Sequence, residues 1–129
     1  MKQTLLIAAA LTVAVSLAFA AAPSKAPAGA LRHVVLFKFK DDAKPEQIQQ
    51  VETEFKALKG KISEVQGLEW GTNVSPENLA QGFTHCFFVS FADAKGRDAY
   101  LTHAAHQDFV KILKPVLDKV LVVDYVSQE

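Results

Sequence analysis

Residues 31–40, LRHVVLFKFK, decide the fold class because their side chains alternate in character. The even positions include basic side chains, and the odd positions are, in order, Leu31, His33, Val35, Phe37 and Phe39. A period of two is typical of a strand with one buried face. Because His33 shares the parity of the apolar residues, we expect its imidazole to point into the core.

A second strand of the same kind is predicted over residues 83–91, FTHCFFVSF, where every second residue is again apolar or histidine. His85 has the parity of the apolar face, so we expect it to point inward as well. Cys86 has the opposite parity. We expect this single cysteine to be a small buried apolar residue or an interface contact rather than a reactive thiol.

The segment between these strands carries a helical pattern. Pro45 suits a first helical position, and apolar residues then recur at helical spacing at Ile48, Val51, Phe55 and Leu58. This spacing predicts an amphipathic helix that lies on the sheet. A short strand is predicted next, over residues 68–74, and the polar residues 75–82 predict a loop.

The end of the chain completes a recognisable order of elements. Residues 93–114 are predicted to be helical in two pieces, broken near His103, with Pro115 limiting the second piece and a last strand over residues 119–126. The order strand, helix, strand, strand, helix, strand predicts an α+β fold, a ferredoxin-like βαββαβ sandwich with helices on one sheet face. Both parities of the strands carry apolar residues, so a homodimer pairing sheet against sheet is predicted.

Length and composition exclude several classes of protein. The chain has 129 residues, half of them apolar, which fits one domain. Its 14 basic and 14 acidic residues balance, so nothing favours an anionic membrane, and we expect no nucleic-acid partner. A single cysteine excludes an internal disulfide framework and a thiolate zinc cluster.

The first twenty residues resemble a targeting segment rather than part of the folded domain. Lys2 precedes an almost unbroken apolar run over residues 5–17, and Ala18 and Ala20 provide the small residues that a signal peptidase reads. The run is short for a membrane span and no basic stop-transfer cluster follows it. We therefore predict a cleaved signal peptide at 1–20, a flexible leader at 21–30, and an exported protein, periplasmic or secreted, with no stable membrane anchor.

Five segments follow one another in the order of a known family pattern: LRHVVLFKF at residues 31–39, WGTN at 70–73, GFTH at 82–85, YLTHAAH at 100–106 and LVVDY at 121–125. Together they resemble the stress-responsive A/B barrel (Dabb) domain over residues 31–127. The resemblance implies a dimeric α+β barrel built from two ferredoxin-like protomers. Most members of that family have no established activity, and some plant members resemble stress-induced, heat-stable oligomers.

The resemblance also implies a candidate site. One plant member of the family closes a linear polyketide by an aldol condensation, with a tyrosine and a histidine as acid and base, and the matching positions here are Tyr100 and His106. A ligand pocket is implied around them, with four further side chains: His33, His85, His103 and Asp124. This chain has Ala104 where proline is common in the family, so the backbone at the lip of the pocket is expected to differ.

The residue types suit such chemistry. An imidazole with an ordinary pKa of about 6.5 can take a proton next to a carbonyl, and a phenol can donate a hydrogen bond to an oxyanion. Tyr100, His103 and His106 are spaced three apart, so a continuous helix would present all three on one face. The structural alternatives are core histidines at His33 and His85, a helix cap at His103, and for Asp124 either an exposed strand residue or a carboxylate that orients a histidine.

Three classes of function follow from the sequence. The first is a small homodimer that binds an apolar small molecule or acts in stress protection, and this is the function we expect. The second is a cofactor-free lyase or cyclase that uses Tyr100 and His106 as acid and base. The third is a haem or metal barrel, since several histidines could surround one cavity, but no ligand spacing is diagnostic. We accordingly expect no cofactor and no metal.

Overall fold

The computed structural model describes residues 29–128. The predicted signal peptide, and all of the predicted leader except its last two residues, lie outside the described residues. Across the described range, no helix combines the length and the apolar character needed to cross a membrane.

Seven elements follow one another in the predicted order: β1 (Leu31–Phe39), α1 (Pro45–Lys61), β2 (Gly67–Thr72), β3 (His85–Phe91), α2 (Ala94–Thr102), α3 (Ala104–Leu113) and β4 (Leu117–Val126). The strands form one antiparallel sheet in the order β2-β3-β1-β4. The ferredoxin-like α+β prediction is therefore confirmed. Strand ends differ from prediction by at most two residues. β4, for example, starts at Leu117 rather than at residue 119, because Leu117 already pairs with Phe39 of β1 and the carbonyl of Val116 accepts the backbone N–H of Lys40 at 2.9 Å.

The strand parity predicted from the sequence is confirmed. In the register of the sheet, Val35 pairs with Phe87 and Phe37 pairs with His85, so the odd residues of β1 and β3 share the face that packs against the helices. His33 is 5% exposed and His85 is 8% exposed. Both imidazoles are inside the protein, as their parity predicted.

Helix α1 begins and packs as its sequence predicts. Pro45 occupies the first turn, where its missing N–H costs nothing, and the side-chain oxygen of Gln47 accepts the backbone N–H of Lys44 at 2.9 Å. The buried stripe is Val51, Phe55 and Leu58. Fully burying such side chains stabilises a fold by about 1.5–3 kcal/mol each. The α1 stripe therefore anchors this helix to the sheet.

The predicted helix break at His103 is confirmed. Helix α2 starts after Asp93, whose carboxylate accepts the backbone N–H of Gly96 at 2.9 Å. His103 has an extended backbone, ends α2 and starts α3, and its Nδ1 accepts the backbone N–H of Ala105 at 3.1 Å. The capping role that was one alternative for His103 is the one the structure shows.

The opposite face of the sheet has no helix over it. Val34, Leu36 and Phe88 are half-buried there, and Cys86 is exposed. Of the two alternatives expected for this thiol, burial within the chain is therefore wrong, and the interface contact stays a prediction. No element of the described residues packs on this side. The edge strand β4 adds three exposed side chains to this face, Leu121, Val123 and Tyr125, whereas its other exposed apolar residues, Val120, Val122 and Val126, lie on the helix side.

Candidate small-molecule site

A cavity of about 370 Å³ lies between the sheet and the two short helices α2 and α3. Four polar residues of the candidate set line it, and each comes from a different element: His33 from β1, Tyr100 from α2, His106 from α3 and Asp124 from β4. Most of the remaining lining is apolar: Val35, Phe37, Phe55, Leu101, Phe109, Val110, Leu113, Leu117, Val120 and Val122, with Lys114 also present.

Tyr100 stands between the two histidines of this cavity. Its ring centroid is 4.4 Å from that of His106 and 5.8 Å from that of His33. Burial raises the pKa of the Tyr100 hydroxyl above its usual value of about 10. The hydroxyl makes no hydrogen bond within the part of the chain that the structure describes. At neutral pH it is therefore a protonated donor available to a ligand.

His106 is held in one tautomer. Its Nδ1 lies 3.1 Å from the backbone carbonyl oxygen of Leu101, which can only accept, so Nδ1 carries the proton and Nε2 carries the lone pair. Burial lowers the pKa of His106, and the charge of His33 lowers it further, while the Leu101 hydrogen bond acts in the opposite direction. His106 is thus a neutral imidazole with a basic nitrogen at neutral pH.

His33 is oriented by a carboxylate from the neighbouring strand. His33 and Asp124 face each other in the β1–β4 register, and Nδ1 of His33 lies 2.6 Å from Oδ1 of Asp124. The other carboxylate oxygen, Oδ2, pairs with the guanidinium of Arg97, which also bonds Asp98 at 2.8 Å. The sequence analysis did not identify Arg97. Its spacing of three residues from Tyr100 on α2 is the signal that could have identified it, because residues three apart on a helix lie on the same face.

His85 does not reach this cavity, although the sequence placed it around the same pocket. Its Nε2 lies 3.0 Å from Oε1 of Glu52 on α1, and its Nδ1 lies 2.8 Å from the hydroxyl of Thr84. Its ring stacks on Trp70 and meets Phe39 edge-on. Both ring nitrogens are satisfied within the protein, so His85 is the hydrogen-bonded core histidine of the structural alternative.

His103 is also outside the cavity, which corrects the predicted helical stripe. Because the chain becomes extended at His103, α2 and α3 are separate helices, and the spacing of three no longer places His103 on the face of Tyr100 and His106. Its imidazole turns back to cap α3. The structure brings together Tyr100, His106, His33 and Asp124 and leaves His85 and His103 elsewhere.

The described residues offer little for a metal ion. Between residues 29 and 128, no group of three or more His, Cys, Asp or Glu side chains converges to hold one. Asp124 is the single carboxylate among the lining residues of the cavity, and its two oxygens are taken by His33 and Arg97. The polar groups that the cavity presents are a hydroxyl and two imidazoles, which can form hydrogen bonds and transfer protons.

Sequence comparisons place the chain among proteins of one domain type. The pattern of a family described as Stress responsive A/B Barrel Domain matches residues 31–127. The stress-response A/B barrel domain-containing protein HS1 of Arabidopsis thaliana is 40% identical over 97 residues, covering 75% of this chain and 89% of that protein. Olivetolic acid cyclase of Cannabis sativa is 27% identical over 100 residues, covering 78% and 99% respectively.

Solved structures share the architecture. Hydroxynitrile lyase from Passiflora edulis superposes with a TM-score of 0.75 at 27% identity, covering 80% of this chain and 97% of that one. A dimeric protein of unknown function with a ferredoxin-like fold, from Bacteroides fragilis, superposes with a TM-score of 0.63 at 30% identity, covering 76% and 96%. The similarity in each case spans almost the whole of the compared chain.

Proposed function

This chain belongs to the stress-responsive A/B barrel domain family, and from that premise we propose that it is a homodimer that binds a small, largely apolar carbonyl compound in the cavity beside Tyr100 and His106. The observation that carries the proposal is the cavity itself. It has the volume of a small-molecule site, apolar walls and a few polar groups gathered from four elements, which is the usual composition of such sites.

The polar groups define the ligand class. Tyr100 offers a hydroxyl donor that has no partner among the described residues, and Nε2 of His106 offers an acceptor beside it. A carbonyl oxygen fits the donor, and an adjacent acidic C–H or hydroxyl group fits the acceptor. The apolar remainder of the ligand would lie against the side chains of α3 and β4.

The uncovered face of the sheet supports the homodimer. Val34, Leu36 and Phe88 are half-buried there, and three β4 residues of the same face are exposed: Leu121, Val123 and Tyr125. Contiguous apolar surface of this kind usually marks an interface, and related structures are described as dimeric ferredoxin-like proteins. Pairing two copies sheet against sheet would remove this surface from water and leave both cavities on the helix sides.

Export is part of the proposal. Residues 1–20 have the charged start, apolar run and small-residue end of a signal peptide, so the mature chain would begin at Ala21. Native mass spectrometry of protein purified from its own producing cells tests this and the assembly together. We expect a dimer of chains that start at Ala21. A monomer would contradict the dimer, and an intact Met1 would contradict cleavage.

Two neighbouring valines on β4 allow ligand binding to be separated from dimer formation. Val122 lines the cavity and is 49% exposed, whereas Val123 pairs with Val34 on the uncovered face and is 48% exposed. The probe is a series of alkyl phenyl ketones, titrated against the dimer with NMR detection of the cavity residues. We expect Val122→Trp to fill the cavity and lose ketone binding while remaining dimeric.

The control, Val123→Trp, should weaken the dimer and keep ketone binding in the cavity. Ketone affinity unchanged by Val122→Trp would remove the cavity as the binding site. Absence of binding by any ketone to the wild-type protein would leave a homodimer with a purely structural or stress-protective role.

A second candidate function, a cofactor-free lyase or cyclase, is favoured by the state of His106. Its Nε2 can take a proton from the carbon next to the ligand carbonyl, while the Tyr100 hydroxyl donates a hydrogen bond to the enolate oxygen. The enolate carbon would then attack a second carbonyl group, which forms the new C–C bond, and His106 would return its proton to the alkoxide produced; in the lyase direction the same steps run in reverse, starting with His106 taking the hydroxyl proton. Two similar proteins carry the names olivetolic acid cyclase and hydroxynitrile lyase.

Proton transfer can be tested before a substrate is identified. In deuterated water, the wild-type protein should catalyse exchange of the hydrogens next to the carbonyl of a bound ketone. Removing a general base typically costs about 10²–10⁴-fold, so we expect His106→Gln to lose this exchange by that order while ketone affinity stays within a few fold. Equal exchange rates in the wild type and His106→Gln would exclude this function.

A further inference from the structure

Asp124 has two carboxylate oxygens, and the structure gives each one a different partner. Oδ1 meets Nδ1 of His33 and Oδ2 meets the guanidinium of Arg97. We infer that Arg97 is a positioning residue, which holds Asp124 so that Asp124 in turn fixes His33 with its Nε2 toward the cavity. The inference deepens the proposed function, because it concerns the same cavity, but it is tested without a ligand.

The position of Asp124 explains why it needs a second contact. It lies on β4, the edge strand, whose side chains are about half exposed, and its own side chain is partly exposed to solvent. A carboxylate with one hydrogen bond in such a place is free to rotate into water. The ion pair with Arg97 joins the edge strand to α2 and restricts that rotation.

Arg97 is suited to this role by its geometry. Its guanidinium contacts Asp98 of its own helix at 2.8 Å and Asp124 of the sheet with another nitrogen. A planar guanidinium with five donors can serve two carboxylates at once, which a lysine ammonium does less well. Among residues 29–128, Arg97 is the sole lysine or arginine in ion-pair contact with Asp124.

The consequence for His33 is a defined tautomer. A carboxylate accepts, so the proton of a neutral His33 is held on Nδ1, and Nε2 presents its lone pair at the cavity wall. The cavity then contains two imidazoles on either side of Tyr100, each fixed through Nδ1, one by a backbone carbonyl and one by Asp124. Loss of Arg97 would therefore free the His33 imidazole from its fixed tautomer, while His106 would stay fixed by the Leu101 carbonyl.

Nitrogen-15 labelling of the histidines measures this directly, because long-range proton–nitrogen correlations distinguish the two tautomers. We expect neutral His33 of the wild type to show the Nδ1–H form alone. Arg97→Gln should give a mixture of both tautomers and lose the slowly exchanging Nδ1 proton. Asp124→Ala, which removes every side-chain acceptor at this position, sets the full size of the effect.

Lys111→Gln is the matched control. It removes one positive charge from a lysine that pairs with Asp108 at 2.8 Å, and both side chains of that pair are well exposed on α3. We expect it to leave the His33 signals unchanged. Arg97→Lys returns the charge without the planar guanidinium and should restore the Nδ1–H form in part, which also covers the case in which Arg97→Gln fails to fold.

Two results would overturn the inference. If Arg97→Gln keeps the wild-type His33 tautomer while Asp124→Ala loses it, Asp124 orients His33 without help from Arg97. If Asp124→Ala keeps the wild-type tautomer as well, the carboxylate does not orient His33 at all. Neither outcome depends on ketone binding, so a failure of the proposed function would be seen separately.

Discussion

The two sides of the helix layer cover the same sheet in different ways. Helix α1 is continuous over 17 residues, and its stripe of Val51, Phe55 and Leu58 is completely buried. Helices α2 and α3, with 9 and 10 residues, are separated by the extended His103, and the cavity of about 370 Å³ opens beside them. The core is closed under the continuous helix, whereas a cavity remains beside the interrupted pair.

The buried histidines show the same contrast at the level of single atoms. His85, next to α1, has both ring nitrogens bonded to Glu52 and Thr84. His33, next to α2, has Nδ1 bonded to Asp124 and lines the cavity. Their burial is almost equal, so burial does not distinguish the histidine that lines the cavity from the one that does not. The number of ring nitrogens satisfied within the protein does.

The largest expected difference is in packing. Leu58→Ala on α1 should lower the free energy of unfolding by about 2–5 kcal/mol, because it leaves a void in a closed core. Leu101→Ala is the control: this leucine borders the cavity and is 37% exposed, so its removal enlarges space that is already open and should cost less than about 1.5 kcal/mol. Urea unfolding of both variants measures the difference. Equal losses would show that the two sides are packed alike.

The helix break should give an intermediate effect. His103→Ala removes the side-chain acceptor of the Ala105 N–H and should cost about 0.5–2 kcal/mol of stability. His103→Asn places another good capping acceptor there and should recover most of that loss. Thermal unfolding of the pair tests the cap. If asparagine does not recover stability, the role of His103 is something other than capping.

The smallest effect expected is the pH dependence that His106 confers. Burial holds its pKa below the ordinary value of about 6.5, so the unfolded chain binds this proton more readily than the folded one. The contribution of His106 to stability is complete above pH of about 6.5 and is lost as the pH falls below it. The free energy of unfolding of the wild type should therefore drop more between neutral and mildly acidic pH than that of His106→Gln. Parallel curves for the two proteins would contradict this.

Local pattern was sufficient for much of the fold. The alternation in residues 31–40 and 83–91 predicted which side of each strand is buried, and the spacing after Pro45 predicted the buried stripe of α1. The break near His103 was also visible. These features depend on the geometry of one element at a time, since period and capping chemistry report which face of a strand or helix meets the core.

The candidate site was only partly predictable from the sequence. Tyr100, His106, His33 and Asp124 do meet at one cavity, but their proximity was implied by family resemblance and not by spacing. Spacing alone placed His103 with Tyr100 and His106, which the helix break prevents. The two partners Arg97 and Glu52 were missed, because charged residues at helical positions look alike in the sequence until their neighbours in the fold are known.

The sequence by itself determined the order of elements, the buried face of each strand and the position of the break between α2 and α3. Only the tertiary structure decided which polar atoms meet. His33 and Asp124 are 91 residues apart, and their contact depends on the register of β1 against β4 and on α2 bringing Arg97 to the same edge. Periodicity belongs to a single element and is written in its own residues, whereas register is set by the packing of several elements together.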